Sequence, residues 1–284
     1  MSQSQEQGFS LVSGLAAELS GDKLKLPSLP EVVIRIRNAL AQPEFTVEEL
    51  ARLITPEPAL VGSILTMANS VAFKRSGNET SDIKIAISRI GAGMVQTAAT
   101  TFALRQLKES EEFKGIEHLL EPEWRKSGQT AAAAYLVAQK FRKVKPDEAL
   151  VVGLIHNIGR IYLYSRAPQY PELFASESDV ETLLDSWHTS IAKAIVEYWN
   201  LPDEIALAVE QQDEISEAEE CTPIVDVLTA GIAIRALADE PTPEEMESLA
   251  NRFDFLRLGL GERRIAELVA EREDCRQQLG LSIK

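Results

Sequence analysis

The sequence predicts an all-α protein, and three observations carry that expectation. Apolar residues recur at helical spacing from about residue 30 onwards, no alternating polar and apolar stretch exceeds a few residues, and prolines and capping residues sit where the periodic segments begin.

Taken in order, Pro30 to Leu40 places Val33, Ile36 and Leu40 on one stripe, with Pro30 suited to a first turn. Thr46 with Glu49 forms a capping box before ELARLI, and Phe45 with Leu50 forms the matching hydrophobic staple. Thr55 is the expected cap of the next helix, whose first turn tolerates Pro56 and Pro58 and which runs through ALVGSILTMANS. A polar turn, Lys74 to Ser81, precedes a helix over Ile83 to Ile90 that Gly91 stops. From Trp124 the helices lengthen. Trp124 to Phe141 carries a small-residue run, Thr130 to Ala134, that lets a neighbouring helix come close. Lys145 to Glu148 opens a helix expected to carry His156-Asn157-Ile158-Gly159, Ser186 to Tyr198 forms another, and Pro202 and Pro223 start two more. Beyond Pro241 the chain is charge-rich, with Leu256, Leu260, Ile265 and Leu268 at helical spacing.

Composition narrows the function classes. A 284-residue chain that is 45% hydrophobic and 26% charged has ample material for a core. Its 29 basic and 44 acidic residues give a net charge of −15, a field that repels phosphate backbones and anionic lipid headgroups. The densest basic run, Lys140 to Lys145, is short, so neither nucleic acid nor membrane is an expected partner. Leu201 to Glu220 carries eight acids and no base, as a solvated acidic face or a docking surface. Cys221 and Cys275 lack the spacing of a zinc knuckle or a disulfide framework, which fits reduced thiols in the cytoplasm. The N-terminus lacks the pattern of a signal peptide, and no apolar run approaches the roughly 18 residues of a membrane span.

Three histidines bound the chemistry: His118, His156 and His188. His156 stands out because it lies beside Asn157 in an otherwise apolar segment, where two buried polar groups need hydrogen-bond partners or a metal. His188 lies in a helix whose alanines and isoleucines mark a buried face. Spacing alone does not say whether the two meet. No GxSxG elbow, Walker loop or GxGxxG is present, and chance pairs such as Asp203-Glu204 warrant no acid–base role. A serine or cysteine nucleophile paired with either histidine lacks a visible strained turn or orienting acid.

Several blocks together resemble the HD-related output domain, HDOD, of bacterial signalling proteins. They are LPSLP (Leu26 to Pro30), LARLITPEPALVGSILTMANSVAF (Leu50 to Phe73), IKIAISRIG (Ile83 to Gly91), GLIHNIG (Gly153 to Gly159), and His188 followed by Trp199-Asn200-Leu201-Pro202. The resemblance implies a multi-helical HD-like fold in which an N-terminal helical subdomain packs on a degenerate HD-type helical core. The expected bounds are an extension over 1–21, the subdomain over 22–115, the core over 116–238 and a charged helical segment over 239–284.

The related HD-type phosphohydrolases hold metal with a histidine, a His-Asp pair and a distal aspartate. Carried over by position, the resemblance puts Lys126, His156-Asn157 and Ala230-Gly231 at those places, and Glu210 to Asp213 where further histidines are expected. An ammonium, a neutral amide and a missing side chain make a poor metal site, since catalytic zinc usually has three or more protein ligands. His156 and His188 remain as weak metal candidates. The expectation is therefore a vestigial site of Lys126, His156, Asn157, His188 and Gly231, with Lys126 as an internal cation, and with neither bound cofactor nor catalysis. Glu57, Asn69 and Ser70 belong to the signature block; Asn69 and Ser70 either end a helix by bonding local backbone or recognise a partner. The function implied is a signalling module acting through protein partners, with a small ligand in the old pocket as a further reading. The alternative is a metal-dependent phosphohydrolase acting on a nucleotide or phosphoester.

Overall fold

The computed structural model of the chain describes residues 28–74, 78–169, 171, 174, 176–218 and 222–281. The expected extension over 1–21, Leu26, Cys221 and the Glu219-Glu220 end of the acidic run lie outside those residues.

The described residues are helical, with no strand among them. Helices α1 (Glu31–Leu40), α2 (Val47–Ile54), α3 (Pro58–Asn69), α4 (Ile83–Ile90) and α5 (Ala92–Lys108) pack on one another. Then come α6 (Glu117–Phe141), α7 (Pro146–Ile155), α8 (Ile158–Ser165), α9 (Glu177–Tyr198), α10 (Asp203–Glu210) and α11 (Pro223–Ala236). Helices α12 (Pro243–Ala250), α13 (Phe253–Leu258) and α14 (Glu262–Gln278) complete the chain. None is long and apolar enough to cross a membrane.

Helix α6 is the centre of the second half, flanked by α7, α11, α14 and α8. Its small-residue run does what that composition allows. A Cβ on Gly153 of α7 would stand 2.5 Å from Ala131 Cα, and one on Gly231 of α11 would stand 3.0 Å from Ala134 N. Both helices thus lie on α6 backbone to backbone. Helix α5 joins the halves by packing on α7, and one continuous apolar cluster runs through both.

Several boundaries differ from the periodic reading. Thr46 accepts from Glu49 N as expected, but Thr55 closes α2 instead of opening α3, donating its hydroxyl to Ala51 O at 2.6 Å. Helix α3 starts on Pro58, whose missing N–H would have been unpaired there anyway. Helix α6 begins at Glu117, five residues before Pro122, which sits in its second turn and forgoes the bond to His118 O. Helix α9 starts at Glu177, where the Ser176 hydroxyl accepts from Asp179 N. Gly91 closes α4 as expected, with φ +82, a region glycine enters without steric cost. In the C-terminal segment Leu260, Ile265 and Leu268 are buried, but Leu256 is 58% exposed.

Candidate functional site

His156 and Asn157 do not lie within a helix. Helix α7 ends at Ile155, α8 begins at Ile158, and Asn157 sits between them at φ −94, ψ 5. The expected single helix is broken where Asn157 turns its side chain to Glu123 of α6 and Gln212 takes the His156 carbonyl. Gly159 allows the break to be buried: a Cβ there would stand 1.9 Å from His188 O, so α8 and α9 meet at backbone distance.

Around this junction α6, α8, α9, α11 and the turn after α10 line an open cavity of about 410 Å³. Lys126, His156, Asn157 and His188 all line it, so four of the five expected site residues come together. Gly231 does not. It faces Ala134, so an aspartate there would be driven against α6; the residues of α11 that reach the cavity are Ile232 and Arg235. That is a correction to the expected site, and its cause is the rotational phase of α11 on α6. Glu57, Asn69 and Ser70 are not among the cavity residues. Asn69 instead clasps Thr80, accepting from its N at 2.9 Å and donating to its O at 2.9 Å, while Ser70 donates to Met67 O at 2.8 Å.

The organising group is Glu123, which the sequence reading did not single out. Its side chain is 4% exposed, yet the carboxylate is ringed by donors. Lys126 Nζ reaches Oε1 at 2.8 Å, Asn157 Nδ2 donates to Oε2, and Arg160 Nε lies 3.5 Å from Oε2. A carboxylate only accepts, so Asn157 must present its amino group. Burial drives the Glu123 carboxyl up, but Lys126, Asn157 and Arg160 together hold it below the usual range. Arg160 then spans outward, to Glu181 at 2.7 Å and Asp185 at 3.3 Å. Lys126 is an internal cation only in part, since its side chain is 38% exposed at the mouth.

The two histidines are held differently. His156 Nδ1 lies 2.7 Å from Gly153 O, so Nδ1 carries the proton and Nε2 keeps its lone pair. Complete burial pushes this imidazole down to about 4, so it is neutral at pH 7. Gln212 steadies the junction by donating to His156 O at 3.0 Å. His188 spends Nε2 on Asp213 Oδ2 at 2.7 Å, leaving Nδ1 buried without a partner. That bond is the first cause of a lowered Asp213 carboxyl. Asp213 closes the EQQD stretch, so a carboxylate bonded to His188 stands where further histidines were expected.

A metal ion does not suit this donor set. No three His, Cys, Asp or Glu side chains among the described residues stand together to hold one. Glu123 is already neutralised by protein cations, and His188 has committed one ring nitrogen to Asp213. Charged residues on amphipathic helices look alike in sequence whether exposed or buried. The i, i+3 pairing of Glu123 with Lys126 was the available signal.

Comparison with known proteins agrees with the blocks seen in the sequence. The HDOD domain family model matches residues 26–215. A curated relative, an uncharacterized protein of Treponema pallidum (strain Nichols), is 26% identical over 252 residues, 81% of this chain and 46% of its own. The chain thus spans about half the length of that relative. Among solved structures, a candidate metal-dependent phosphohydrolase of Shewanella amazonensis SB2B superposes with a TM-score of 0.79 at 23% identity, covering 98% of this chain and 100% of that one. A candidate signal transduction protein of Marinobacter aquaeolei VT8 superposes at 0.66 and 20% identity, covering 96% of this chain and 66% of that one. At such identities the likeness speaks to fold alone.

Proposed function

The chain belongs to the HDOD domain family, and from that premise we propose that it is a non-catalytic signalling module of the bacterial cytoplasm, acting through contacts with other regulatory proteins. The observation that carries the reading is the Glu123 network. In an HD-type hydrolase the equivalent space holds a cation that polarises water; here Lys126 and Arg160 bring the cations, and Asn157 brings a donor where an acid would be needed. A buried carboxylate satisfied in this way has little to offer a metal. The net charge of −15 disfavours nucleic acid and membrane surfaces as partners. The input is then a separate protein or a small ligand in the cavity.

A second reading, a metal-dependent phosphohydrolase acting on a nucleotide or phosphoester, is favoured by one feature. His156 donates Nδ1–H to a backbone carbonyl and leaves Nε2 free, as metal-ligating histidines do. The two readings part on turnover. Full-length protein assayed with Mg²⁺, Mn²⁺, Fe²⁺ or Zn²⁺ against p-nitrophenyl phosphate, nucleoside monophosphates and cyclic dinucleotides is expected to show no rate above metal alone. Turnover that disappears in His156→Ala would establish the hydrolase instead.

A further inference from the structure

Among the described residues Arg235 is the one cation at the cavity with no hydrogen bond or ion pair, although Glu123 acts on it at longer range. It bonds to no described residue through any of its three nitrogens, and its Nε is buried. Other arginines with a buried, unbonded Nε differ, since Arg160 has Glu181 and Asp185. A guanidinium does not shed its proton, so burying its Nε without an acceptor carries a cost that the longer-range attraction of Glu123 offsets only in part.

The neighbouring carboxylates do not relieve it, because each is engaged elsewhere. On the cavity side Glu123 is held by Lys126 and Asn157, Asp185 by Arg160, and Asp213 by His188. Arg235 also forms part of the wall of a second hollow of about 340 Å³ beside α14. There Asp239 is taken by Arg272 at 2.9 Å, and Glu273 by Arg276 at 2.6 Å. Each acid lining the two hollows among the described residues is thus engaged by another side chain, and the acceptor that Arg235 lacks must be water or a ligand from outside the chain.

We infer that the cavity binds a small organic carboxylate, held by the Arg235 guanidinium without a metal. The planar fork of an arginine matches a carboxylate side-on through two parallel N–H bonds. A singly charged group suits the place better than a doubly charged phosphate, because Glu123, Asp185 and Asp213 surround it. The rest of the ligand meets acceptors. Gln212 spends Nε2 on His156 O and Val209 O, and Asn157 spends Nδ2 on Glu123, leaving the oxygen of each amide without a donor from the described residues. His156 Nε2 is a third acceptor. A carboxylate whose body carries hydroxyl, amide or amine hydrogens therefore fits, and a cavity of about 410 Å³ lies within the small-molecule range.

The inference rests on the metal-free reading of the site, and the experiment keeps the two apart. Full-length protein, its metal content measured first, is titrated at constant ionic strength with glycolate, lactate, succinate and benzoate, with the matching primary amides, and with inorganic phosphate. Binding is followed by thermal denaturation and by the Arg235 Nε–H resonance, assigned through its absence in Arg235→Gln. At least one carboxylate is expected to give a saturable rise in Tm and to move that resonance, while amides and phosphate do neither. Arg235→Gln should melt at or above the parent without ligand, because it removes a half-buried charge that has no direct partner. It should also lose on the order of tenfold in affinity, the scale of one charge-assisted hydrogen bond. Lys193→Gln, which alters only an outer pair with Glu210, should respond as the parent does. No response to any carboxylate, an equal response in Arg235→Gln, or an equal response to amides or phosphate would overturn the inference. Stoichiometric metal in the cavity would instead overturn the reading beneath it.

Discussion

Asn157→Asp replaces the amide that bonds Glu123 by a second carboxylate, and its cost can be worked from the network. The parent side chain donates from Nδ2 to Glu123 Oε2 in a buried site. The variant loses a hydrogen bond to a charged group, about 1.5–3 kcal/mol, and gains like-charge repulsion of about 4 kcal/mol at a separation of ~4 Å and an effective dielectric of ~20. Lys126 and Arg160 offset part of this, Lys126 less because its side chain is 38% exposed. A net destabilisation of about 3 kcal/mol at pH 7.5 is expected, read from urea unfolding in chelator and as a Tm lowered by roughly 6 °C. The pH dependence has a definite sign. Of two carboxyls sharing the site, one has its folded pKa raised above the unfolded value, so stability is lost as pH rises through that pKa and regained as pH falls below it. The gap between variant and parent should therefore narrow from pH 7.5 to pH 5. A variant as stable as the parent at pH 7.5 would refute the placement of the amide against the Glu123 carboxylate.

Three further outcomes follow from the same geometry. His156 has a folded pKa near 4 against 6.5 unfolded, so its contribution is present above pH 6.5 and lost as pH falls through about 4, to a total of about 3 kcal/mol. Urea titrations of the parent should show that slope and His156→Gln should not; parallel curves would contradict it. Gly159→Ala sets a Cβ 1.9 Å from His188 O and should cost about 3 kcal/mol or more in denaturant unfolding, since α8 must leave α9. Asn69→Ala removes both bonds to the Thr80 backbone and should lose about 2 kcal/mol; unchanged stability would move Asn69 from structure to partner recognition.

Much of the fold was legible because helical periodicity and caps are local. Gly91, Pro58 and Thr46 each act near where the sequence puts them. The α7–α8 break was not legible, since GLIHNIGRIYL reads as one helix until Glu123 and Gln212 claim its centre from distant elements. The site divides along the same line. His156, Asn157, His188 and Lys126 were identifiable as unusual residues at matched positions, and the structure brings them to one cavity. Glu123, Arg160 and Arg235 were not, because burial of a charge depends on which face of its helix meets a neighbour. Gly231 shows the same limit in reverse: its position along α11 matches a pattern, but its direction is set by packing on Ala134.

The account rests on Glu123 being neutralised by Lys126 and Arg160, with a hydrogen bond from Asn157, and not by a metal. Its most direct test is the metal stoichiometry of full-length protein equilibrated with Fe²⁺, Mn²⁺ or Zn²⁺ and then freed of unbound ion, alongside His156→Ala. Far less than one metal per chain in both proteins is predicted. About one per chain in the parent, lost in His156→Ala, would contradict it.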